Sequence, residues 1–391
     1  MGLNCGQNYT FAPPRTVPKM SNSGKRSGNV SDFQNPTLSE WQHRTGAALA
    51  WLRRSIAVTG GNGSSHSYSP LFGWEKAYPE TTGYLIETLF DYAEIKQDDS
   101  LRDLAFGCAR WLLSVQFSDG AFPALLAGNA NPSIFNTGQI LFGLARAATE
   151  SPAGSPERQS FLRALQSAVA WLISQLEPDG SWRKHAYVPG YTPSYYTRAV
   201  WGVLTANQLL QNPDTEEAMR KALRFYAQRL LPDGGVRDWG FRPGKSAFTH
   251  TIAYTLEGFL ESAVLLGEQQ IIEKKILTGE KLLSVISKNN GRLAGRYDEQ
   301  WRGDYSFVCV TGNCQISVFF RRLQEITGEE KFRKAAGRLL MEAIGYQKLG
   351  RNTDTCGALP GSAPFWGPYL RFRYPNWGVK FFLDAIVKEM E

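Results

Sequence analysis

The chain has little cysteine, little histidine and no uninterrupted apolar run long enough to span a bilayer. Cys5, Cys108, Cys309, Cys314 and Cys356 are an odd number without CxxC spacing, which argues for reduced thiols and against a disulfide framework. With only four histidines, a metal site has few ligands to draw on, and no metal or other cofactor is expected. Dense basic blocks are missing too. The net charge of +7 is spread along the sequence, compatible with an acidic polymer as partner but not with a nucleic-acid surface. No sustained apolar–polar alternation competes with helical spacing, which excludes a sheet-based fold.

What is present is a repeat. An apolar or aromatic residue is followed nine positions later by glycine at Trp111/Gly120, Trp171/Gly180, Phe225/Gly234, Leu282/Gly291 and Met341/Gly350. With Gly63 included, the glycines are 57, 60, 54, 57 and 59 residues apart. A fixed period means one supersecondary unit used repeatedly. About twenty residues after each glycine comes a threonine, Thr82, Thr137, Thr197, Thr251 or Thr311, read here as the N-cap of a helix. The runs that follow are apolar on nearly every side, as in helices surrounded by protein. The helices before the glycines, such as Arg163 to Leu176 and Glu217 to Leu230, keep a polar side and belong outside.

Alternating inner and outer helices in about six hairpins predict an all-α (α/α)6 toroid. An open helical solenoid is the alternative, but its repeats usually run roughly 34 to 47 residues with polar capping units. Residues 38–391 form this single domain. Residues 1–37, rich in Asn, Ser, Gly and Pro and without an apolar h-region, read as a disordered tail and not as a signal peptide. A cytoplasmic protein with no membrane span is expected.

In such a ring the loops leading into the inner helices gather at one mouth, and here they are rich in aromatic and polar residues. Trp74, Tyr78, Asn136, Tyr195, Trp301, Tyr305, Trp366 and Trp377 suit a sugar, rings stacking on a pyranose while polar groups address its hydroxyls. Each ring could equally fill a gap between helices.

The turns Gln116–Phe122 and Gln175–Trp182 resemble the Gln, Gly and aromatic repeat of squalene cyclases and prenyltransferase β subunits, here read as a clasp at the outer helix end. The stretch Trp74 to Tyr84, with Tyr78-Pro79-Glu80-Thr81-Thr82-Gly83-Tyr84 at its heart and the repeats behind it, resembles a group of bacterial helical-toroid proteins associated with exopolysaccharide biosynthesis. The architecture is more distantly similar to six-hairpin glycosidases and toroid polysaccharide lyases. These resemblances imply a polysaccharide or oligosaccharide as ligand and biosynthetic proteins as partners.

Three chemistries follow. A lyase neutralises a uronate carboxylate, removes the adjacent proton and protonates the leaving oxygen; Arg198 and Asn136 would bind the carboxylate, with His250 as base and Tyr195 or Tyr196 as acid. A C5-epimerase would use nearly the same groups. A glycoside hydrolase needs two carboxyls about 5 to 10 Å apart, for which Glu80 and Asp304 are the best placed pair. Glu80 could instead be a first-turn anion complementing the helix dipole, and His250 a structural group at a helix end. A terpene cyclase or prenyltransferase-like protein, and a non-catalytic glycan-binding scaffold, stay open as alternatives.

Overall fold

The computed structural model describes residues 36–390. The tail reading falls on residues almost wholly outside that range. Among the described residues twelve α-helices run in six hairpins: α1 (Leu38–Ala57), α2 (Pro79–Lys96), α3 (Asp99–Val115), α4 (Ile134–Glu150), α5 (Pro156–Ser174), α6 (Thr197–Leu210), α7 (Pro213–Ala227), α8 (Thr249–Leu266), α9 (Gln269–Lys288), α10 (Val310–Thr327), α11 (Glu330–Ile344) and α12 (Asn376–Met390). The even-numbered helices touch in succession and α12 returns to α2, so they close a ring. This is the (α/α)6 toroid.

Burial follows the sequence pattern. In α4 nearly every residue from Ile134 to Ala148 is buried, whereas α3 buries Leu101, Ala105, Cys108, Ala109 and Leu112, a stripe at helical spacing. One ring of helices is core throughout; the other turns a single face to it.

The repeat glycines explain themselves at the outer ring. Gly120 has φ +97°, and a Cβ there would lie 2.3 Å from the Ser167 carbonyl oxygen of α5. Only glycine combines that dihedral with so close an approach. Gly180 and Gly234 meet the backbone of the next outer helix in the same way, at Lys221 and Thr278, while Gly63 and Gly291 face its side chains, the Trp111 ring and the Arg338 guanidinium. The sixth glycine differs from expectation. Gly350 has open space around it, and Gly357 takes the role, with φ +93° and a Cβ position 1.9 Å from the Ala47 oxygen of α1. The last hairpin thereby clasps the first.

The threonines are not N-caps. Inner helices begin earlier, at caps such as Tyr78 for α2, Ser133 for α4 and Phe248 for α8. Thr82 and Thr137 sit one turn inside, where their hydroxyls accept from Ser64 N at 2.9 Å and Phe122 N at 3.0 Å. They pin the segments after Gly63 and Gly120 onto the inner helices, whereas Thr197 and Thr251 donate to Ser194 O at 2.9 Å and Phe248 O at 3.0 Å at their own helix starts.

Short strands dress the same end. β1 (Ser67–Ser69) pairs with β2 (Gly73–Trp74) and with β8 (Tyr374–Pro375), β3 (Ala247–Phe248) with β4 (Arg296–Tyr297), β4 with β5 (Gly303–Asp304), and β6 (Val308–Cys309) with β7 (Ser362–Ala363). The β1–β8 pairing joins the two termini of the ring. Asn376 Nδ2 reinforces it by donating to Ser64 Oγ and Thr81 Oγ1, each at 2.8 Å. Among the described residues no helix is long and apolar enough to cross a membrane.

Candidate functional site

A cavity of about 270 Å³ opens where α2, α4, α8 and α12 begin. Its walls are His66, Tyr78, Glu80, Thr81, Phe135, Tyr187, Tyr195, Phe241, Phe248, His250, Tyr254, Pro368, Tyr369, Leu370 and Trp377. The local sequence places them. Pro79 at the first helical position starts α2 without a wasted amide and sets Tyr78 and Glu80 on either side of it. His250 and Tyr254 are one turn apart on α8, their ring centres 4.2 Å from each other. Tyr369 lies 5.3 Å from His250 and accepts from Trp377 Nε1 at 2.8 Å.

Among the described residues, Glu80 is the single carboxyl in this lining. It is buried and accepts a hydrogen bond from the Tyr78 hydroxyl. Desolvation pushes its pKa up to about 7, against the opposing pull of the Tyr78 hydrogen bond and the Arg198 charge. Near neutral pH it exchanges a proton readily. The histidines behave oppositely: burial holds His250 and His66 down to about 3, so both are neutral. His250 Nδ1 lies 2.6 Å from Gln315 Oε1; with the amide so oriented Nδ1 carries the proton and Nε2 keeps its lone pair. Burial raises the Tyr78, Tyr195, Tyr254 and Tyr369 hydroxyls well above their usual range, leaving them donors.

The floor is Tyr254, whose hydroxyl donates to the Tyr84 hydroxyl at 3.0 Å. Arg198 lies against the Tyr254 ring, 4.8 Å from its centre, and outside the cavity lining. It is committed to a buried ion pair with Glu257 and donates from Nε to Gln139 Oε1 at 2.7 Å.

Of the residues expected to act together, Glu80, His250, Tyr78, Tyr195 and Trp377 line one cavity. The others are elsewhere. Asn136 is spent on Pro123 O, 2.8 Å away, and on the Tyr187 hydroxyl. Tyr196 is buried against Phe135 and Trp182. Asp304 does not pair with Glu80 across the cavity: β4 and β5 fold it back onto Arg296 at 2.8 Å, and Ser306 and Arg296 hold its carboxyl below the usual range. Trp74 packs on Trp51 and hydrogen-bonds to Asp354, and Trp301 packs on Trp239. Tyr305 lies beside Tyr297, and Trp366 is 64% exposed. The β1–β2 and β4–β5 hairpins hold Trp74, Trp301 and Asp304 within their own loops.

Sequence reasoning missed His66, Tyr187, Phe241 and Tyr254. Tyr254 was legible as the i+4 partner of His250; the other three sit in loops whose path no periodicity encodes. Among the described residues no group of three His, Cys, Asp or Glu side chains gathers as a metal site.

No protein-family model matches the chain, and no curated protein matches it. Solved structures do. A heparin-specific unsaturated glucuronyl hydrolase superposes with TM-score 0.68 at 15% identity, covering 89% of this chain and 96% of its own. An unsaturated glucuronyl hydrolase from Bacillus sp. GL1, described as degrading glycosaminoglycan, gives 0.66 at 14%, with 89% and 96% covered. The cellobiose 2-epimerase of Bacillus thermoamylovorans gives 0.67 at 13%, covering 89% and 98%. At such identities the likeness establishes the toroid architecture over 89% of this chain, and the chemistry has to be argued from the cavity.

Proposed function

We propose that the protein is a carbohydrate-processing enzyme that takes one end of a saccharide into the aromatic cavity and acts on it by proton transfer through Glu80. The observation carrying this reading is a lone carboxyl, poised near neutrality, among ring-stacking side chains. A general acid–base works best with a pKa near the operating pH, a condition Glu80 meets and His250 does not. In this reading Tyr78 orients the Glu80 carboxyl, while neutral His250 and the tyrosine hydroxyls hydrogen-bond sugar oxygens. Hydrolysis by a carboxyl pair is disfavoured, since the lining offers no second carboxyl. Elimination and epimerisation, which need one group to take and return a proton, fit better. The likeness to saccharide-acting toroids supports the class.

The sequence resemblance around Tyr78–Tyr84 supports an exopolysaccharide as the source of the saccharide, handled in the cytoplasm beside biosynthetic partner proteins. A panel of oligosaccharides in heavy water tests the reaction. Deuterium incorporated at a sugar carbon indicates epimerisation, unsaturated ends indicate elimination, and new saturated reducing ends alone indicate hydrolysis. Binding without any of these products would leave a glycan-holding scaffold and remove the enzyme.

A further inference from the structure

Among the described residues, the cavity lining contains no arginine and no lysine. The two guanidinium groups that come near are already engaged. Arg198 lies on the far side of Tyr254, paired with Glu257 and Gln139. Arg373, whose charge reaches His66, pairs with Glu75 at 2.7 Å and donates to Ser67 Oγ at 3.1 Å. The formal charge inside is therefore that of Glu80.

A uronate would bring a second carboxylate into the same poorly solvated space. Two anions sharing a site repel, and a buried charge without a partner is among the costliest groups a protein can hold. Phenol and imidazole hydrogen bonds from Tyr195, Tyr369 and His250 satisfy hydroxyls but carry no compensating charge. An uncharged pyranose meets none of this cost and offers an apolar face to Trp377 and Phe248. The volume of about 270 Å³, just below the roughly 300–1,000 Å³ usual for ligand pockets, limits entry to a chain end.

We propose that the cavity receives an uncharged terminal sugar and discriminates against a terminal uronate. This rests on the saccharide-processing reading above and narrows it, because uronate elimination then falls away and proton exchange on a neutral sugar remains. Glu80 is the source of the discrimination.

The test is calorimetric titration of the full-length protein with disaccharides ending in glucose, galactose or mannose and with the matching disaccharides ending in glucuronate, galacturonate or mannuronate. Above the Glu80 titration near pH 7, at least one neutral sugar should bind roughly tenfold tighter than its uronate counterpart. Glu80→Gln should narrow that gap while still binding the neutral sugar. Uronates binding as tightly as neutral sugars would overturn the proposal and leave the saccharide reading standing. The same discrimination in Glu80→Gln as in the parent protein overturns the assignment to Glu80. Binding of neither series removes the saccharide reading itself, and the selectivity with it.

Discussion

The two ends of the toroid axis are built from the same helices and have opposite chemistry. Where the inner helices begin, rings surround one carboxyl. Seven residues further along α2 and α8, about 10 Å by helical rise, Glu80 gives way to Glu87 and His250 to Glu257, and the axis fills with charge. There a smaller pocket is lined by Glu87, Arg198, Glu257, Glu261, Arg322, Lys380 and Asp384. Six of the seven are paired, Arg198 with Glu257, Arg322 with Glu261 at 2.8 Å and Lys380 with Asp384, while burial pushes the Glu87 carboxyl up to about 7. The charged end seals the ring with mutual neutralisation, and the aromatic end is left open and nearly charge-free. Cavity and plug are therefore one design problem, since the plug keeps Arg198 from serving as an anion site above.

Breaking the plug has the largest expected effect. Glu257→Ala leaves Arg198 buried without its partner and should cost roughly 3–5 kcal/mol in denaturant-induced unfolding. An unchanged midpoint would mean that the pair is not sealed from water. At the other end, Glu80→Gln should lower turnover on whatever saccharide is processed by about 10²–10⁴-fold. A variant retaining full rate would strip Glu80 of its catalytic role.

The same substitution sharpens the contrast through pH. The folded-state pKa of Glu80, about 7, exceeds its unfolded value of 4.5, so the folded protein binds the proton more strongly between those limits. That carboxyl therefore subtracts from stability progressively as pH rises through this window. Thermal melts should show Glu80→Gln gaining on the parent protein from below pH 4.5 to above 7, by an amount on the order of 3 kcal/mol. A constant difference across the range would argue against a desolvated carboxyl.

Both ends presuppose a closed ring. Gly357→Ala, forced into a left-handed dihedral and onto the Ala47 oxygen, should cost about 2 kcal/mol or more, whereas Gly350→Ala should be nearly neutral. Equal effects would misplace the closing clasp. The smallest change is expected from Asp304→Asn, which disturbs a partly exposed ion pair away from the cavity: under roughly 1 kcal/mol in stability and no loss of turnover. A large loss of activity there would restore the two-carboxyl hydrolase.

Much of the fold could be read from residues in order. The glycines recur because each outer-ring contact comes too close for a side chain, from backbone at Gly120, Gly180, Gly234 and Gly357 and from a side chain at Gly63 and Gly291. The threonines mark the inner helix starts, and that Thr82 and Thr137 tether returning loops instead of capping is visible only in three dimensions. The site was half legible. Glu80, His250, Tyr78, Tyr195 and Trp377 were marked by their place at inner helix starts, a position the period reveals. Asp304, Trp74 and Trp301 carried the same mark and were diverted by the short β4–β5 and β1–β2 hairpins of their own loops, and Trp366 projects to the surface. Loop composition did not distinguish the two groups.

Sequence alone determined six hairpins, their inner and outer faces and the end at which aromatic residues collect, because helical periodicity and repeat spacing are local properties of the chain. Tertiary structure decided which of those residues share a cavity, that Arg198 is neutralised by Glu257, and that Glu80 titrates near neutrality. Desolvation and charge pairing depend on atoms brought together from helices far apart in sequence.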